Sequence, residues 1–583
     1  FVNHFDTELS FKNWASYSSV SVSKFGELKM GKNRKHGYKS WGLVPFYSEN
    51  NTEAYQELPS VNNNPNVQKN SGYEQIDFLQ KFIVKLPNEK LFTLNIQLSN
   101  SSDIPRFDKL NEYKDGALRF AEWNYGPQKR FLISPQFKFF PKKKFFYKGY
   151  LTMAYQNVNE SRINRKFNEL GRSNQSENVH VWSFNGDFET KKTDKTSFAF
   201  GFEWVKNEVV SKAFSQELIL NGNEVVGKSS PILIPTRYPS AGSDYTSSAF
   251  YGNFKWALNT KTTLSAGGRY THTLLIAKWD RNNGIYPLWL LNSPIGNLTN
   301  IESKNNAFTG SLSITFRPTK NLQLNFLASS GFRSPNIDDL GKIRENKGML
   351  LIPNPTLKPE YANNLDFGVS YFTPNKKGVL ALRFYSTFLK NFIGRKLSPN
   401  YTDQVSGEVT ELMFENDIIE TQINANMGNA TIQGASFEGK WNFTPHLAFS
   451  SDITYTQAKF LKGYGPLPSI LPFYGAAMLQ YNKDKLSIRI RSRFSGSKSP
   501  QDYSLGGEDG LDETPEQINP QGITNYIGTP SWSVLNLSGS YSWNEKTTLR
   551  AGIENIFDVH YREFASGISA SGRSLMVGVG YEF

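Results

Sequence analysis

Residues 198–204 alternate between large apolar side chains and small or charged ones, in the order Phe198-Ala199-Phe200-Gly201-Phe202-Glu203-Trp204. Successive side chains of a β-strand point to opposite faces, so this segment has one apolar face and one that is polar or nearly empty. The same alternation recurs in residues 92–99, 486–491 and 575–583. The pattern predicts a protein built from amphipathic strands.

Working outward from this stretch, we predict strands at residues 4–12, 15–24, 73–86, 90–101, 127–140, 144–156, 176–190, 195–206, 243–257, 261–275, 303–317, 321–332, 360–372, 377–391, 421–443, 446–458, 469–481, 485–496, 530–543, 546–557 and 574–583. Many reach about ten residues or more, enough to cross a bilayer at barrel tilt, whereas soluble strands average about five or six. Connections alternate between short ones such as 318–320 and long ones such as 333–359. Short turns on one rim and long loops on the other are typical of a transmembrane barrel. The sequence therefore predicts an all-β fold, a transmembrane antiparallel up-and-down β-barrel formed by residues 1–583 as one domain.

The predicted strand number is odd, with the first and last strands both running inward. Single-chain bacterial barrels close with even numbers of strands. We therefore expect one further strand before Phe1, about 22 in all, a size whose lumen is normally plugged. The alternative is that one strand has been split or merged in the assignment. A plug domain is not visible in residues 1–583.

Composition excludes several other classes of protein. The chain contains no run of eighteen apolar residues, so no transmembrane helix is predicted. It has no cysteine, which removes thiol catalysis and cysteine metal sites. The net charge of +13 suits an anionic membrane surface or an anionic ligand. Because no run of five or six basic residues occurs, and Lys142–Lys144 is the densest cluster, a nucleic-acid partner is not expected.

Several stretches resemble one family of outer-membrane proteins. The segment Gly552–Asp558, followed by Tyr561-Arg562 and the terminal Tyr581-Glu582-Phe583, is similar to the last strands of TonB-dependent receptors. Phe332-Arg333-Ser334-Pro335 and Asn354-Pro355-Thr356-Leu357 resemble the paired boxes best known from haem receptors of that family. Residues 103–107 and 121–126 resemble a recurring loop of these receptors.

The resemblance implies a receptor in the outer membrane of a Gram-negative bacterium, surrounded by lipid and lipopolysaccharide. It implies import of a scarce nutrient, an iron chelate (siderophore) or haem, driven by TonB and its energising complex through a plug. A surface lipoprotein is a further partner to consider. Haem receptors carry a histidine between the two boxes, but residues 336–353 contain none, which counts against haem.

Six residues are candidates for ligand binding. Phe332, Arg333 and Asn354 belong to the paired boxes, and Trp123 and Tyr125 could stack on an aromatic or macrocyclic ligand. His36, in the first long loop, could be an axial haem ligand, or an ordinary surface imidazole.

Two charged groups of side chains have both a functional and a structural interpretation. Arg489, Arg491 and Arg493 alternate on the polar face of one strand, which predicts a basic lumen wall or a ladder paired with carboxylates such as Glu438. Glu508, Asp509 and Asp512 lie among glycines and could hold Ca²⁺ through oxygen ligands; the alternative is a solvated acidic loop.

No catalytic residue is predicted, because the G-x-S-x-G, phosphate-loop and H-E-x-x-H motifs are all missing from the sequence. Besides active import, two other functions remain open. A barrel without a plug could hold a surface lipoprotein or another envelope protein, and a passive porin would show steady ion conductance.

Overall fold

The computed structural model describes residues 1–51, 53–114, 116–141, 145–280, 298–346, 348–398, 401–403, 407–409, 411–414 and 417–583. Its main element is one large sheet, whose barrel strands are β1 Val2–Ser10, β2 Trp14–Phe25, β3 Tyr73–Leu86, β4 Lys90–Ser101, β5 Lys129–Phe139, β6 Lys148–Lys166, β7 Gly171–Glu189, β8 Thr196–Asn221, β9 Ser243–Ala257, β10 Thr262–Lys278, β11 Asn300–Phe316, β12 Leu322–Arg333, β13 Glu360–Phe372, β14 Gly378–Lys390, β15 Ala430–Asn442, β16 Leu447–Phe460, β17 Tyr474–Lys483, β18 Leu486–Ser495, β19 Trp532–Ser542, β20 Thr547–Glu554 and β21 Ser574–Tyr581. The Lys142–Lys144 cluster lies outside the described residues.

Each barrel strand pairs antiparallel with the next one in the chain, from β1 through β21. The predicted all-β antiparallel barrel is thereby confirmed. Among the described residues no ladder joins β1 to β21. The twenty-second strand and the plug stay predictions.

The two faces of the wall have the predicted difference in chemistry. Large apolar side chains project outward and are left uncovered by protein; Phe308 is 75% exposed and Leu365 is 66% exposed. The inward face carries polar pairs, such as Arg269 with Glu203 at 2.6 Å. This division suits a lipid-covered outside and a polar lumen.

The strands β6, β7 and β8 extend further outward than the sequence pattern indicated. Residues 157–175 were expected to form an outer loop, but β6 and β7 continue through them to a turn at residues 167–170. β8 likewise continues to Asn221 in the predicted loop 207–242. Above the membrane both faces of a strand are polar, so the alternation disappears while the backbone pairing continues.

The predicted strand 421–443 is in fact two strands. Asp417–Asn426 belongs to a small sheet in the outer loops, and β15 starts only at Ala430. Between them Gly428 has a positive φ of 97°, a conformation that glycine adopts without strain. Apolar residues on both sides of this break hid it from the sequence pattern.

We call this small sheet the cap sheet. Its core contains Leu350, Ile352 and Ile419. Its strands are Arg344–Asn346, Met349–Ile352, Ile393–Leu397, Glu411–Phe414 and Asp417–Asn426.

The remaining elements are short. Loop strands are Leu28–Lys29, Phe46–Tyr47, Ser60–Val61, Val67–Gln68, Ile104–Pro105, Tyr113–Lys114, Ala117–Leu118, Phe120–Tyr125, Glu224–Lys228, Ile232–Leu233, Tyr401–Asp403, Gly407–Val409, Glu516–Ile518 and Thr524–Tyr526. Helical turns are α1 Phe107–Leu110, α2 Ile337–Leu340, and the 3-10 turns Pro500–Asp502 and Leu511–Glu513. Within the described ranges no helix has the length and apolar character needed to cross a membrane.

Candidate ligand-binding site

Four arginines from separate outer loops meet near the mouth of the barrel, and we call them the arginine cluster: Arg106, Arg237, Arg344 and Arg395. Burial first, and then the positive charges of the other three, lower the pKa of Arg344 to about 10. The backbone connects two of these loops directly, because Ile343 N donates to Arg237 O at 3.0 Å. Like charges gathered at a partly buried place repel one another, so the cluster favours an anion between them.

Trp123 and Tyr125, predicted as a stacking platform, support arginines of this region. The Arg106 guanidinium lies 4.7 Å from the Trp123 ring centre and 5.6 Å from that of Tyr125. Arg162 lies 5.6 Å from the Tyr125 ring. Trp123 is only 8% exposed, so it serves mainly to hold Arg106 through its ring face.

Three nearby carboxylates already have partners, and one of them, Asp108, is paired with Arg106 of the cluster. Asp108 accepts from Arg106 Nε at 3.0 Å, Asp338 from Lys342 Nζ at 2.7 Å, and Glu177 from Arg162 Nη1 at 2.5 Å. Arg237 Nε is buried and has no hydrogen-bond partner in the described part of the chain. A buried donor of this kind is normally satisfied by water, an ion or a ligand.

Lys342 adds a titratable group beside the cluster. Burial lowers its pKa to about 8, and the charges of Arg237 and Arg344 act in the same direction against the opposing effect of Asp338. Its ammonium can therefore lose a proton only slightly above neutral pH, which makes the total charge of the mouth sensitive to pH.

The cap sheet is tied to the β4–β5 loop by an ionic contact. Arg119 Nη2 lies 3.3 Å from Glu345 Oε1, and Arg119 Nη1 lies 2.7 Å from Glu112 Oε1. Glu112 also pairs with Lys109. Because Glu345 lies next to Arg344, this contact fixes the strand that carries the centre of the arginine cluster.

The predicted box residues contact other residues of the protein. Arg333 binds Asp339 at 2.6 Å and Glu360 at 3.0 Å. Asn354 Nδ2 donates to Asn424 O at 2.8 Å, which ties the box to the cap sheet. The Phe332 ring packs against Tyr361 at 5.9 Å. The boxes anchor the loop that carries Arg344, and a direct ligand role for them stays a prediction.

His36 lies away from the arginine cluster, where the first outer loop contacts the last. Its Nε2 is 2.9 Å from His560 Nδ1, and the ring of Trp41 packs against both. His560 is fully buried. Axial ligation of haem by His36 stays a prediction, but in this arrangement its Nε2 already has a protein partner.

Of the three arginines predicted for the lumen wall, one forms an ion pair within the described ranges. Arg493 pairs with Glu563 at 2.8 Å and lies over Trp532. No ion pair is found for Arg489 or Arg491 in the described ranges. Glu438, the partner suggested by the sequence, lies on β15 opposite Asp452 and not beside β18. A basic lumen wall formed by Arg489, Arg491 and Arg493 stays a prediction.

The most deeply buried carboxylate of the acidic loop, that of Asp509, is hydrogen-bonded within the protein. Asp509 is 2% exposed and accepts from Ser469 N at 2.6 Å and from Ser504 N at 3.2 Å. Glu508 accepts from Ser504 Oγ at 3.0 Å. In the part of the chain that the structure describes, no group of three or more His, Asp or Glu is arranged to hold a metal ion. Calcium binding by Glu508, Asp509 and Asp512 stays a prediction.

The arginine cluster was not predicted from the sequence. Its members are spread over residues 106–395 without a shared motif, so only the tertiary fold brings them together. Arg106 alone lay in a stretch that the resemblance singled out, residues 103–107.

A family model described as TonB dependent receptor-like, beta-barrel matches residues 34–556. The chain belongs to the TonB-dependent receptor family. That family is found in the outer membrane of Gram-negative bacteria, and the match confirms the resemblance drawn from the boxes and the C-terminal stretch.

Relatives of this TonB-dependent receptor barrel are distant. Hemoglobin-haptoglobin utilization protein B of Neisseria meningitidis serogroup A is 24% identical over 332 residues, covering 54% of this chain and 39% of that protein. The ferric enterobactin receptor of Pseudomonas aeruginosa is 24% identical over 262 residues, covering 42% of this chain and 32% of that protein. The matched segments span less than half of either relative.

Solved structures of similar fold cover the whole chain. Copper transporter OprC has a TM-score of 0.69 at 13% identity, covering 100% of this chain and 79% of that one. The FrpB iron transporter from Neisseria meningitidis (F3-3 variant) has a TM-score of 0.66 at 12% identity, with 100% and 79% covered. At this identity the likeness concerns the fold alone.

Proposed function

We propose that the chain forms the barrel of an outer-membrane receptor that binds an anionic iron chelate at the arginine cluster and imports it with TonB. The observation that carries this proposal is the meeting of Arg106, Arg237, Arg344 and Arg395 at the mouth, with one buried Arg237 donor unpartnered. Siderophores are the favoured class and haem the second, in keeping with the names of the two relatives.

Arginine suits this task physically. Its planar guanidinium donates two parallel hydrogen bonds to a carboxylate or a similar pair of oxygens, and it keeps its charge when partly buried. The rings of Trp123 and Tyr125 hold neighbouring guanidiniums in place through cation–π contacts. The field of several cations also steers an anion to the mouth before contact.

The later steps involve partners beyond this barrel. A plug would fill the lumen, TonB with its energising complex would act on it, and a surface lipoprotein could deliver the ligand. The basic side of the lumen, with Arg489 and Arg491, suits an acidic plug surface or an anionic ligand in transit.

The test is binding and uptake by the full-length receptor in a strain that lacks its own copy. Arg344→Gln should weaken binding of ferric siderophores by about tenfold or more, since a charged contact contributes about 1.5–3 kcal/mol. The matched control is Arg573→Gln, an exposed arginine outside the cluster. If Arg344→Gln, Arg573→Gln and the unaltered receptor all bind ferric siderophores equally well, the arginine cluster is not the binding site.

Two other outcomes would overturn import itself. Steady ion conductance of the purified full-length protein would indicate a porin. Stable co-purification with an envelope protein, together with normal uptake after deletion, would indicate an assembly component.

A further inference from the structure

The lipid-facing wall contains an elongated groove across β11–β15. It consists of two contiguous cavities of about 610 and 620 Å³, which share Leu312, Ala328, Leu365 and Ser386 as lining residues. Their walls are the large side chains Phe308, Phe326, Phe384 and Phe388.

Small residues make the floor of the groove. Gly310, Ala328 and Ser330 occupy lipid-facing positions, and the ladder between β11 and β12 covers only Ser311–Phe316 and Leu324–Ser329. Just beyond the end of this ladder, Gly310 N donates to Ser330 Oγ at 2.9 Å in place of a regular cross-strand bond. Large neighbours beside small floor residues leave a channel that extended hydrocarbon can fill.

The groove changes polarity along its length. Its inner part is apolar, lined by Ile314, Phe326 and Phe367. Toward the outer rim it contains the amide and hydroxyl groups of Asn363, Ser330, Ser386 and Gln433, of which Gln433 donates to Ser386 at 3.3 Å. An occupant must therefore be an amphiphile with its hydrocarbon toward the membrane centre and its polar linkage toward the outer leaflet.

Two lysines stand at the outer end of this groove. Lys459 lies on β16 in the same cross-strand row as Thr431 and Phe388, and Lys390 lies one row further out, opposite Tyr361. Both lysines are exposed. Neither has an ion pair within the described ranges, so the groove presents uncompensated positive charge where lipid headgroups lie.

We propose that this groove binds an acyl chain of a phosphorylated glycolipid of the outer leaflet, the lipid A part of lipopolysaccharide, with Lys390 and Lys459 on its phosphate. The inference rests on the barrel spanning the outer membrane, as in the proposed function, and is independent of the transported ligand. Lipid A suits the site because it combines several acyl chains, amide and hydroxyl groups near the headgroup, and phosphates.

The experiment uses the full-length receptor, purified in detergent and incubated with bis-phosphorylated hexa-acylated lipid A. Native mass spectrometry then counts retained lipid. Ala328→Phe fills the floor, and the double substitution Lys390→Gln and Lys459→Gln removes the charge. The double lysine substitution should lower retention about thirtyfold, because each juxtamembrane lysine contributes about 1 kcal/mol toward an anionic headgroup. Ala328→Phe should lower retention about tenfold, because the added ring occupies the space of the acyl chain. The control is Lys24→Gln, on the outer rim of β2.

Ala328 faces lipid, so both variants should fold, and the heat-dependent gel mobility of the barrel verifies this. Retention that is equal in all variants, or as strong for phosphatidylglycerol as for lipid A, would overturn the proposal. Binding of the ferric siderophore should be unchanged in every variant. Failure of the lipid site is thereby distinguishable from failure of the proposed import function.

Discussion

Gln68 and Ser569 lie 501 positions apart in the chain and exchange two hydrogen bonds. Gln68 Nε2 donates to Ser569 O at 2.8 Å, and Ser569 N donates to Gln68 Oε1 at 2.8 Å. Neither residue has any exposed surface. The pair joins the first outer loop, residues 26–72, to the last outer loop, residues 555–573. Both loops lie near β1 and β21, the two end strands of the described sheet. We call this contact the loop interlock.

Removing the Gln68 side chain should open the loop interlock locally. Gln68→Ala leaves a buried N–H and a buried carbonyl of Ser569 without partners, at about 1–3 kcal/mol for each. We expect amide exchange in residues 566–572 to accelerate about tenfold or more, measured by hydrogen–deuterium exchange of the full-length protein. Gln521→Ala, an exposed glutamine in another outer loop, is the control. Unchanged exchange in the Gln68 variant would show that other contacts hold the loops together.

Acid should loosen the same loop interlock. Burial, followed by the charges of Arg34, His36 and Arg562, lowers the pKa of His560 to about 3 from a usual value of 6.5. Between these values the opened form binds a proton that the closed form rejects, so stability rises with pH in this window and falls as pH drops from about 6.5 toward 3. The pKa of His36 is lowered in the same sense.

The measurement for this pH effect is amide exchange in residues 555–573 between pH 7 and pH 4, corrected for the intrinsic chemical rate. His560→Asn should flatten the profile. His446→Asn, at an exposed inner turn, should leave it unaltered. A profile that is equally steep without His560 would assign the acid sensitivity to another group.

The sequence was most informative where lipid covers one face of the wall. The predicted bounds 73–86, 90–101, 243–257 and 360–372 match β3, β4, β9 and β13 residue for residue. There the requirement for an apolar outside imposes the alternation that identifies a strand. Outside the membrane that requirement is absent. The sequence therefore shows no alternation of apolar and polar residues in the outer parts of β6, β7 and β8, and none that marks the break at Gly428.

The site was less predictable for a related reason. Trp123 and Tyr125 were recognised as mouth aromatics, but their partner Arg106 was not, because a cation is an ordinary residue in any polar loop. Arg237 and Arg344 become neighbours through contacts between their two loops, such as the bond from Ile343 N to Arg237 O and the bond from Tyr238 Oη to Asp338. This proximity depends on packing between loops that are distant in sequence, which a local sequence pattern does not predict.

We expect the stability of the outer extension of β6 to depend on one carboxylate, that of Glu122, in a buried charge network. Glu122 is 2% exposed and accepts hydrogen bonds from Arg165 Nε at 2.9 Å and from Arg172 Nε at 2.8 Å. Glu122→Gln would leave two buried guanidiniums without a counter-charge, which costs about 3–5 kcal/mol in comparable sites. We expect residues 120–125 to lose exchange protection. Glu160→Gln, which removes a more exposed partner of Arg162, is the control and should cost about 1 kcal/mol or less.

The contact between Arg119 and Glu345 should govern how firmly the cap sheet is held over the mouth. The pair is 3.3 Å apart, and its side chains are 15% and 22% exposed, so solvent screens it only in part. Glu345→Gln removes the charge while keeping the shape, and Arg119 retains Glu112. We expect a modest loss, about 1 kcal/mol, seen as roughly fivefold faster amide exchange in residues 349–352.

The matched control for the cap is Glu302→Gln, which breaks the exposed pair with Lys304 on the barrel wall and should leave residues 349–352 unaffected. Because Glu345 adjoins Arg344, a looser cap should also speed ligand release, so the dissociation rate should rise in the Glu345 variant alone. Faster exchange without faster release would mean that the cap moves independently of the arginine cluster. No change in either would show that the core of Leu350, Ile352 and Ile419 holds the cap without this ion pair.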